Sequence, residues 1–138
     1  MLVLDTNVVS ELMKPRPDEG VLEWLDTVPM EELATTAITV MEVRFGLALL
    51  PHGRRRVLLE SRFRQFLARG FSARLLAFDE AAAEECSLIR ASRRRAGVSI
   101  AAEDGMIAAI ARARGATVVT RDGSGFAGCG VPVLNPWR

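Results

Sequence analysis

Short apolar runs alternate along this chain with longer stretches whose apolar residues recur every three or four positions. Residues 2–4 form a continuous apolar run, as a buried parallel strand requires. Asp5-Thr6-Asn7 closes it with helix-capping residue types, and residues 8–13 read as a short helix stopped by Pro15 and Pro17. Asp18 opens a second helix with Val21, Leu22 and Leu25 on one face, and Pro29 breaks it. Residues 33–37 read as a second strand. Thr39-Val40-Met41-Glu42 then has the form of a capping box, which predicts a helix from there to Leu50. After the turn at Pro51-His52-Gly53, residues 54–68 predict a strongly basic amphipathic helix. Residues 75–78 are a third strand. Asp79 caps a long helix to Ala96, ended by Gly97. Another helix starts at Ser99 or Ile100 and runs through Asp104 to Arg114, with Gly115 as its stop. Residues 117–119 and 131–134 complete the strands. Strands alternating with helices predict an α/β fold of parallel βαβ units in a three-layer α/β/α sandwich. Ligands in such folds bind at the carboxyl ends of the strands.

Composition narrows the class. The 138 residues are the length of one domain, and no linker, repeat or low-complexity segment divides residues 1–138. With 49% hydrophobic and 25% charged residues the chain can bury a core. No apolar run reaches the roughly 18 residues of a membrane span. Asp5 falls where a signal peptide would still be apolar, so a cytoplasmic location is expected. Cys86 lies in a helical stretch and Cys129 in a Gly-Cys-Gly loop; without a CxxC motif or a nearby histidine they read as free thiols. His52, the one histidine, sits in a turn and reads as a surface residue.

The net charge of +1 hides a polar distribution. Residues 1–42 carry nine acids and two bases, whereas residues 43–78 carry eight arginines and one acid, Glu60. A basic region attracts phosphates, and an acidic one can hold metals that act on them. Two solvated faces that happen to segregate are the ordinary alternative.

Four acids stand where the predicted sheet edge would gather them: Asp5, Glu42, Asp104 and Asp122. Each has an ordinary structural alternative. Asp5 can cap the following helix, Glu42 can be the reciprocal partner of Thr39, Asp104 can favour a positive helix end, and Asp122 can belong to an Asp-Gly turn. Asp104 shares a helix face with Ile107 and Ala108, which look inward, and an inward acid needs a partner. Its neighbour Glu103 points elsewhere and reads as solvated. Four acids from four separate segments, with no histidine or cysteine beside them, form a hard oxygen site suited to Mg²⁺ or Mn²⁺ rather than zinc. The chain has no GxGxxG, Walker lysine, GxSxG or HExxH motif to compete.

These stretches resemble the PIN-domain ribonucleases, and specifically the VapC/FitB toxins of bacterial toxin–antitoxin pairs. The resemblance is carried by LVLDTNVVSEL at residues 2–12, AITVMEVRFG at 37–46, EDGMIAAIA at 103–111, TVVTRD at 117–122 and VLNPW at 133–137. It implies the PIN fold, with a central mainly parallel sheet, and a Mg²⁺- or Mn²⁺-dependent endoribonuclease. Asp5, Glu42, Asp104 and Asp122 take the four acidic positions. Thr6 and Asn7 fall beside the first acid and Thr120 before the last. The resemblance also implies products with 5′-phosphate and 3′-hydroxyl ends, a homodimer, and a small cognate antitoxin, often DNA-binding, that blocks the acidic cleft. The implied metal ligands are Asp5 and Asp104, with Glu42 and Asp122 completing the shell or orienting water. Arg44, Arg54, Arg55 and Arg56 are candidates for holding the RNA backbone; Arg93, Arg94 and Arg95 read rather as solvated helix surface. Trp24, Phe45 and Phe63 are candidates either for partner contacts or for the core. Two positions depart from the family pattern: Gly125 stands where a further Asp is common, and Gly105 where alanine is usual.

Three rivals stand beside this reading. A phosphoacceptor receiver domain wants paired acids after the first strand and a lysine near the last; Thr6-Asn7 follows Asp5, and Lys14 is misplaced. A haloacid-dehalogenase phosphatase wants a second Asp where Asn7 stands. A catalytically decayed PIN-like binding or regulatory protein is the third, with Gly125 its main support.

Overall fold

The computed structural model describes residues 1–71 and 74–137. Each strand is a short apolar segment followed at once by a capping residue. In chain order the elements are β1 (Leu2–Leu4), α1 (Thr6–Leu12), α2 (Glu19–Asp26), β2 (Leu33–Thr36), α3 (Ala37–Ala48), α4 (Arg54–Gly70), β3 (Leu75–Leu76), α5 (Glu80–Arg95), α6 (Ala102–Ala113), β4 (Thr117–Val119) and β5 (Val133–Leu134). Single 3₁₀ turns occupy Met30–Glu32 and Gly123–Phe126.

The sheet order is β3-β2-β1-β4-β5, with every pairing parallel. Val3 pairs with Ala34 and Val118, and Leu4 with Val119. Because successive side chains in a strand point to opposite faces, this register sorts the core into two layers. Val3, Ala34 and Val118 pack with α5 and α6 through Ile89, Ile107 and Ile110. Leu4, Leu33 and Val119 pack with α1, α3 and α4 through Val8, Val9, Val43 and Phe63. The expected three-layer α/β/α sandwich results. From β1 the chain steps one way to β2 and later the other way to β4. The β1–β4 boundary is therefore the switch point, where open α/β sheets form clefts.

Several expected boundaries move. Helix α1 begins at Thr6, directly after Asp5, and α6 begins at Ala102 rather than at Ser99 or Ile100. Strands β3 and β5 are two residues each, shorter than residues 75–78 and 131–134. The largest change concerns α3. Its N-cap is Thr36, whose hydroxyl accepts the Thr39 amide at 3.1 Å, so the helix starts three residues earlier than a Thr39 cap predicts. Glu42 thus falls in the second helical turn, where the capping-box role is closed to it, and its carboxylate is free to serve elsewhere. Strand pairing explains the shift: Thr35 and Thr36 are tied to Leu75 and Leu76, which ends β2 at Thr36. Phe63 is buried at 1% exposure, so it belongs to the core and not to a partner surface.

Candidate active site

Asp5 leaves the sheet at the switch point, its amide donating to the Val119 carbonyl at 3.0 Å. Its carboxylate is 4% exposed and accepts the Val8 amide at 3.2 Å, capping α1. The Asn7 amide and the Thr120 hydroxyl also donate to it. Burial pushes the Asp5 carboxyl up to about 6, the hydrogen bonds pull the other way, and the charge of Asp104 adds to the rise.

Glu42 comes from α3 and meets Thr6, the residue after Asp5. Its Oε1 accepts the Thr6 hydroxyl at 2.7 Å. The Thr6 and Thr39 hydroxyl oxygens lie 3.3 Å apart, and those of Thr36 and Thr39 3.4 Å apart, so a row of hydroxyls runs from the α3 cap to the acid. The side chain of Asn7 is exposed.

Asp104 is the third residue of α6, half-buried, and no hydrogen bond among the described residues reaches its carboxylate. Burial raises its pKa first, and the charges of Glu42, Asp122 and Glu103 raise it further. Asp122 follows β4. Its amide donates to the Thr120 hydroxyl at 3.2 Å, and its carboxylate caps the 3₁₀ turn at the Ser124 amide, 3.2 Å away. Thr120, fully buried, therefore joins Asp5 to the Asp122 backbone. A Cβ at Gly125 would lie 3.4 Å from Asp104 Oδ2 and 3.8 Å from Asp122 Oδ2, so both carboxylates face that point of the turn.

Asp104 is the common member: Asp5, Glu42 and Asp122 all interact with it through charge. Among the described residues no three His, Cys, Asp or Glu side chains converge tightly enough to hold one ion in common. Burial first, and then the like charges of Glu42, Asp122 and Glu103, disfavour the ionised Asp104 carboxyl. The donors are oxygens throughout, as a hard divalent cation requires.

A cleft of about 490 Å³ leads from Thr6 and Glu42 to Lys14, Arg55 and Arg62. Sequence reasoning missed Arg62; it lies seven residues after Arg55, two turns along the same helix face, and that spacing was the available signal. Arg54 and Arg55 are exposed. Arg56 is engaged by Glu60 at 2.7 Å and by the Leu50 carbonyl at 3.2 Å. The Arg44 guanidinium sits over the Phe63 ring, 5.4 Å from its centroid. Cys86 and Cys129 are free and buried, and His52 is exposed.

The sequence pattern that defines the PIN domain matches residues 2–127. The chain belongs to the PIN-domain family. This PIN domain is 44% identical to the toxin FitB of Neisseria gonorrhoeae, over all of this chain and 99% of that one. It is also 44% identical, over the same shares, to the VapC ribonuclease Y4jK of Sinorhizobium fredii. The solved structure of FitAcB from Neisseria gonorrhoeae superposes on it with a TM-score of 0.92 at 43% identity, covering all of this PIN domain and 99% of that chain.

Proposed function

We propose that this PIN domain is a toxin of the VapC/FitB type, an endoribonuclease that hydrolyses RNA phosphodiester bonds with Mg²⁺ or Mn²⁺ and is held in check by a cognate antitoxin. The observation that carries the chemistry is the mutual interaction of Asp5, Glu42 and Asp122 with a half-buried Asp104 that has no counter-charge of its own. The full-length likeness to a named toxin and a named ribonuclease supports the biological role.

Asp5 and Asp104 would hold the cation. A bound divalent ion supplies a more acidic water and offsets charge building on the phosphate. The chain's own groups do the rest. Thr120 and the amides of Asn7 and Val8 hold the Asp5 carboxylate in place. Thr6 holds Glu42 so that its second oxygen can accept a hydrogen bond from the attacking water. Asp122 stands opposite, its turn fixed through Thr120. Arg55 and Arg62 in the cleft offer guanidinium forks to the RNA backbone, and Arg44 and Arg54 would add to them. The resemblance to the VapC/FitB nucleases implies water as the nucleophile, with the P–O3′ bond broken, so products would carry 5′-phosphate and 3′-hydroxyl ends.

The antitoxin and a second copy of the chain need surface as well. Phe45 on α3 and Leu49 at its C-cap are 65% and 70% exposed, and Val57 and Leu58 on α4 are exposed as well, Leu58 at the cleft. Exposed apolar groups of this size suit partner burial. Among the described residues no helix is long and apolar enough to cross a membrane; a cytoplasmic location is part of the proposal, as an RNA substrate requires.

The test is cleavage of total cellular RNA by purified, antitoxin-free protein with Mg²⁺, with Mn²⁺ and with EDTA, beside Asp5→Asn. Discrete fragments bearing 5′-phosphates that vanish with EDTA and in the variant are expected. A folded wild-type protein that binds Mn²⁺ and leaves every RNA intact would favour the decayed, binding-only reading instead.

A further inference from the structure

An open cavity of about 560 Å³ lies between the last turn of α5 and the start of α6. Arg90, Arg93 and Arg94 line it with Gly97, Val98 and Ser99, and no acid is among its lining residues. The ion pairs found among the described residues involve Met1, Lys14, Arg56 and Arg112, so none of these three arginines has a carboxylate partner.

The ordinary explanation for arginines at a helix C-terminus is capping and the helix dipole. Capping is already complete here. The Gly97 amide donates to the Arg94 carbonyl at 3.1 Å and the Val98 amide to the Arg93 carbonyl at 3.0 Å, with Gly97 at φ +70°. This is a Schellman turn, and it satisfies the end of α5 without any side chain. Arg93 donates through Nη1 to the Ala127 carbonyl, while its buried Nε has no partner. Arg90 and Arg94 are exposed and uncommitted.

The cavity is also close to the acid cluster. Arg93 reaches the loop that follows the Gly123–Phe126 turn, and Gly125 in that turn faces Asp104 and Asp122. Buried Cys129 feels the charges of both Arg93 and Asp104.

We infer that this arginine-lined cavity binds backbone phosphates of the RNA substrate on the α5–α6 side of the scissile bond, opposite the cleft lined by Arg55 and Arg62. The inference deepens the ribonuclease reading and rests on it. Guanidinium forks without counter-ions match phosphate oxygens in geometry and charge. The tie through Arg93 and Ala127 to the turn that faces Asp104 and Asp122 favours the RNA substrate over an acidic protein segment as the occupant.

The experiment is fluorescence anisotropy of a labelled single-stranded RNA in EDTA, where it stays intact, titrated with wild type and with Arg90→Ala/Arg94→Ala over a series of salt concentrations. Each lost phosphate contact removes about 0.7 from the slope of log K against log salt, so the double variant should lose about 1.4 and bind at least fivefold more weakly. Arg90→Lys/Arg94→Lys should recover the slope. Single-stranded DNA of the same sequence should weaken in parallel; a loss seen only with DNA would overturn the assignment to RNA. An unchanged slope with RNA overturns the inference, even if the variant loses affinity for a protein partner. A wild type with no salt-dependent RNA binding overturns it as well. RNA cleavage with an unchanged slope sinks this inference alone; a lost slope in a protein that never cleaves keeps the cavity as an RNA phosphate site and sinks the nuclease reading together with the position relative to a scissile bond.

Discussion

Around Asp5 the carboxylate is surrounded by donors: the amides of Asn7 and Val8 and the hydroxyl of Thr120. Around Asp104 there are only acids, with Glu42, Asp122 and Glu103 raising its pKa on top of its burial. One half of the site is thus built into the fold. Asp5 caps α1, joins β1 to β4 and stays ordered by local hydrogen bonds. The other half is assembled by bringing like charges together, at a cost that a divalent cation would remove. The difference separates a residue tied into the fold by its cap and strand-end hydrogen bonds from one whose favourable structural setting is the first turn of a helix.

Replacing each acid by alanine should expose this difference most strongly. Both Asp5→Ala and Asp104→Ala are expected to lower RNA cleavage by on the order of 100-fold or more. In urea titrations with EDTA they should part. Asp5→Ala loses a helix cap worth about 1 kcal/mol, a loss read at about pH 4, where the native carboxyl is protonated and its burial carries no charge penalty. Asp104→Ala loses no hydrogen bond and sheds repulsion, so its midpoint should match or exceed that of wild type. Equal destabilisation of both would erase the distinction between the halves.

The pH dependence of the metal-free protein comes next. The native Asp5 carboxyl titrates at about 6 against an ordinary 3.8, so over that window the native state holds a proton that the unfolded chain has released. Stability should therefore fall as pH rises from about 4 to about 6, by up to roughly 3 kcal/mol, and Asp104 acts in the same direction. Saturating Mg²⁺ should flatten the profile, because an ion on the carboxylates favours their charged form. Urea midpoints at pH 4, 5, 6 and 7 with and without Mg²⁺ would show it; a metal-free protein that gains stability across this window contradicts the reading.

A smaller effect is expected from Gly125→Asp. The new Cβ would sit at ordinary contact distance from Asp104 Oδ2, with its carboxylate at the same cluster. Mn²⁺ affinity by calorimetry should tighten about three- to tenfold, while the metal-free protein loses some stability to added repulsion. Thr6→Val should have the least effect. It removes the 2.7 Å hydrogen bond to Glu42 and should lower kcat several-fold, with stability changing by about 1 kcal/mol or less.

The same contrast governs what could be read from the sequence. Asp5 was legible because an apolar strand ends on it, and Asp104 because its helix face continues into Ile107 and Ala108, both buried. The alternation of Val3 and Leu4 between two core layers, and the Gly97 and Gly115 helix stops at positive φ, also follow from local pattern. Glu42 was placed at the wrong turn of its helix. Thr39-x-x-Glu42 has the better local signature, but pairing of β2 with β3 selects Thr36 as the cap. The 3₁₀ turn at Gly123–Phe126 was invisible for a similar reason: Asp122-Gly123 signals a turn without saying that Gly125 will face Asp104. Phe63 sits between Arg62 and Arg64 in a basic helix, and only packing against Val43 and Leu47 decides that it turns inward. In each case a contact distant in sequence chose between options that local chemistry left equal.

The most direct measurement is the anomalous scattering of a crystal grown with Mn²⁺ and without antitoxin. The account predicts a peak bonded to carboxylate oxygens of Asp5 and Asp104, at about 2.1 Å, with Glu42 and Asp122 facing the same ion. A crystal with Mn²⁺ bound only elsewhere, or with Asp104 turned away and unliganded, would contradict it.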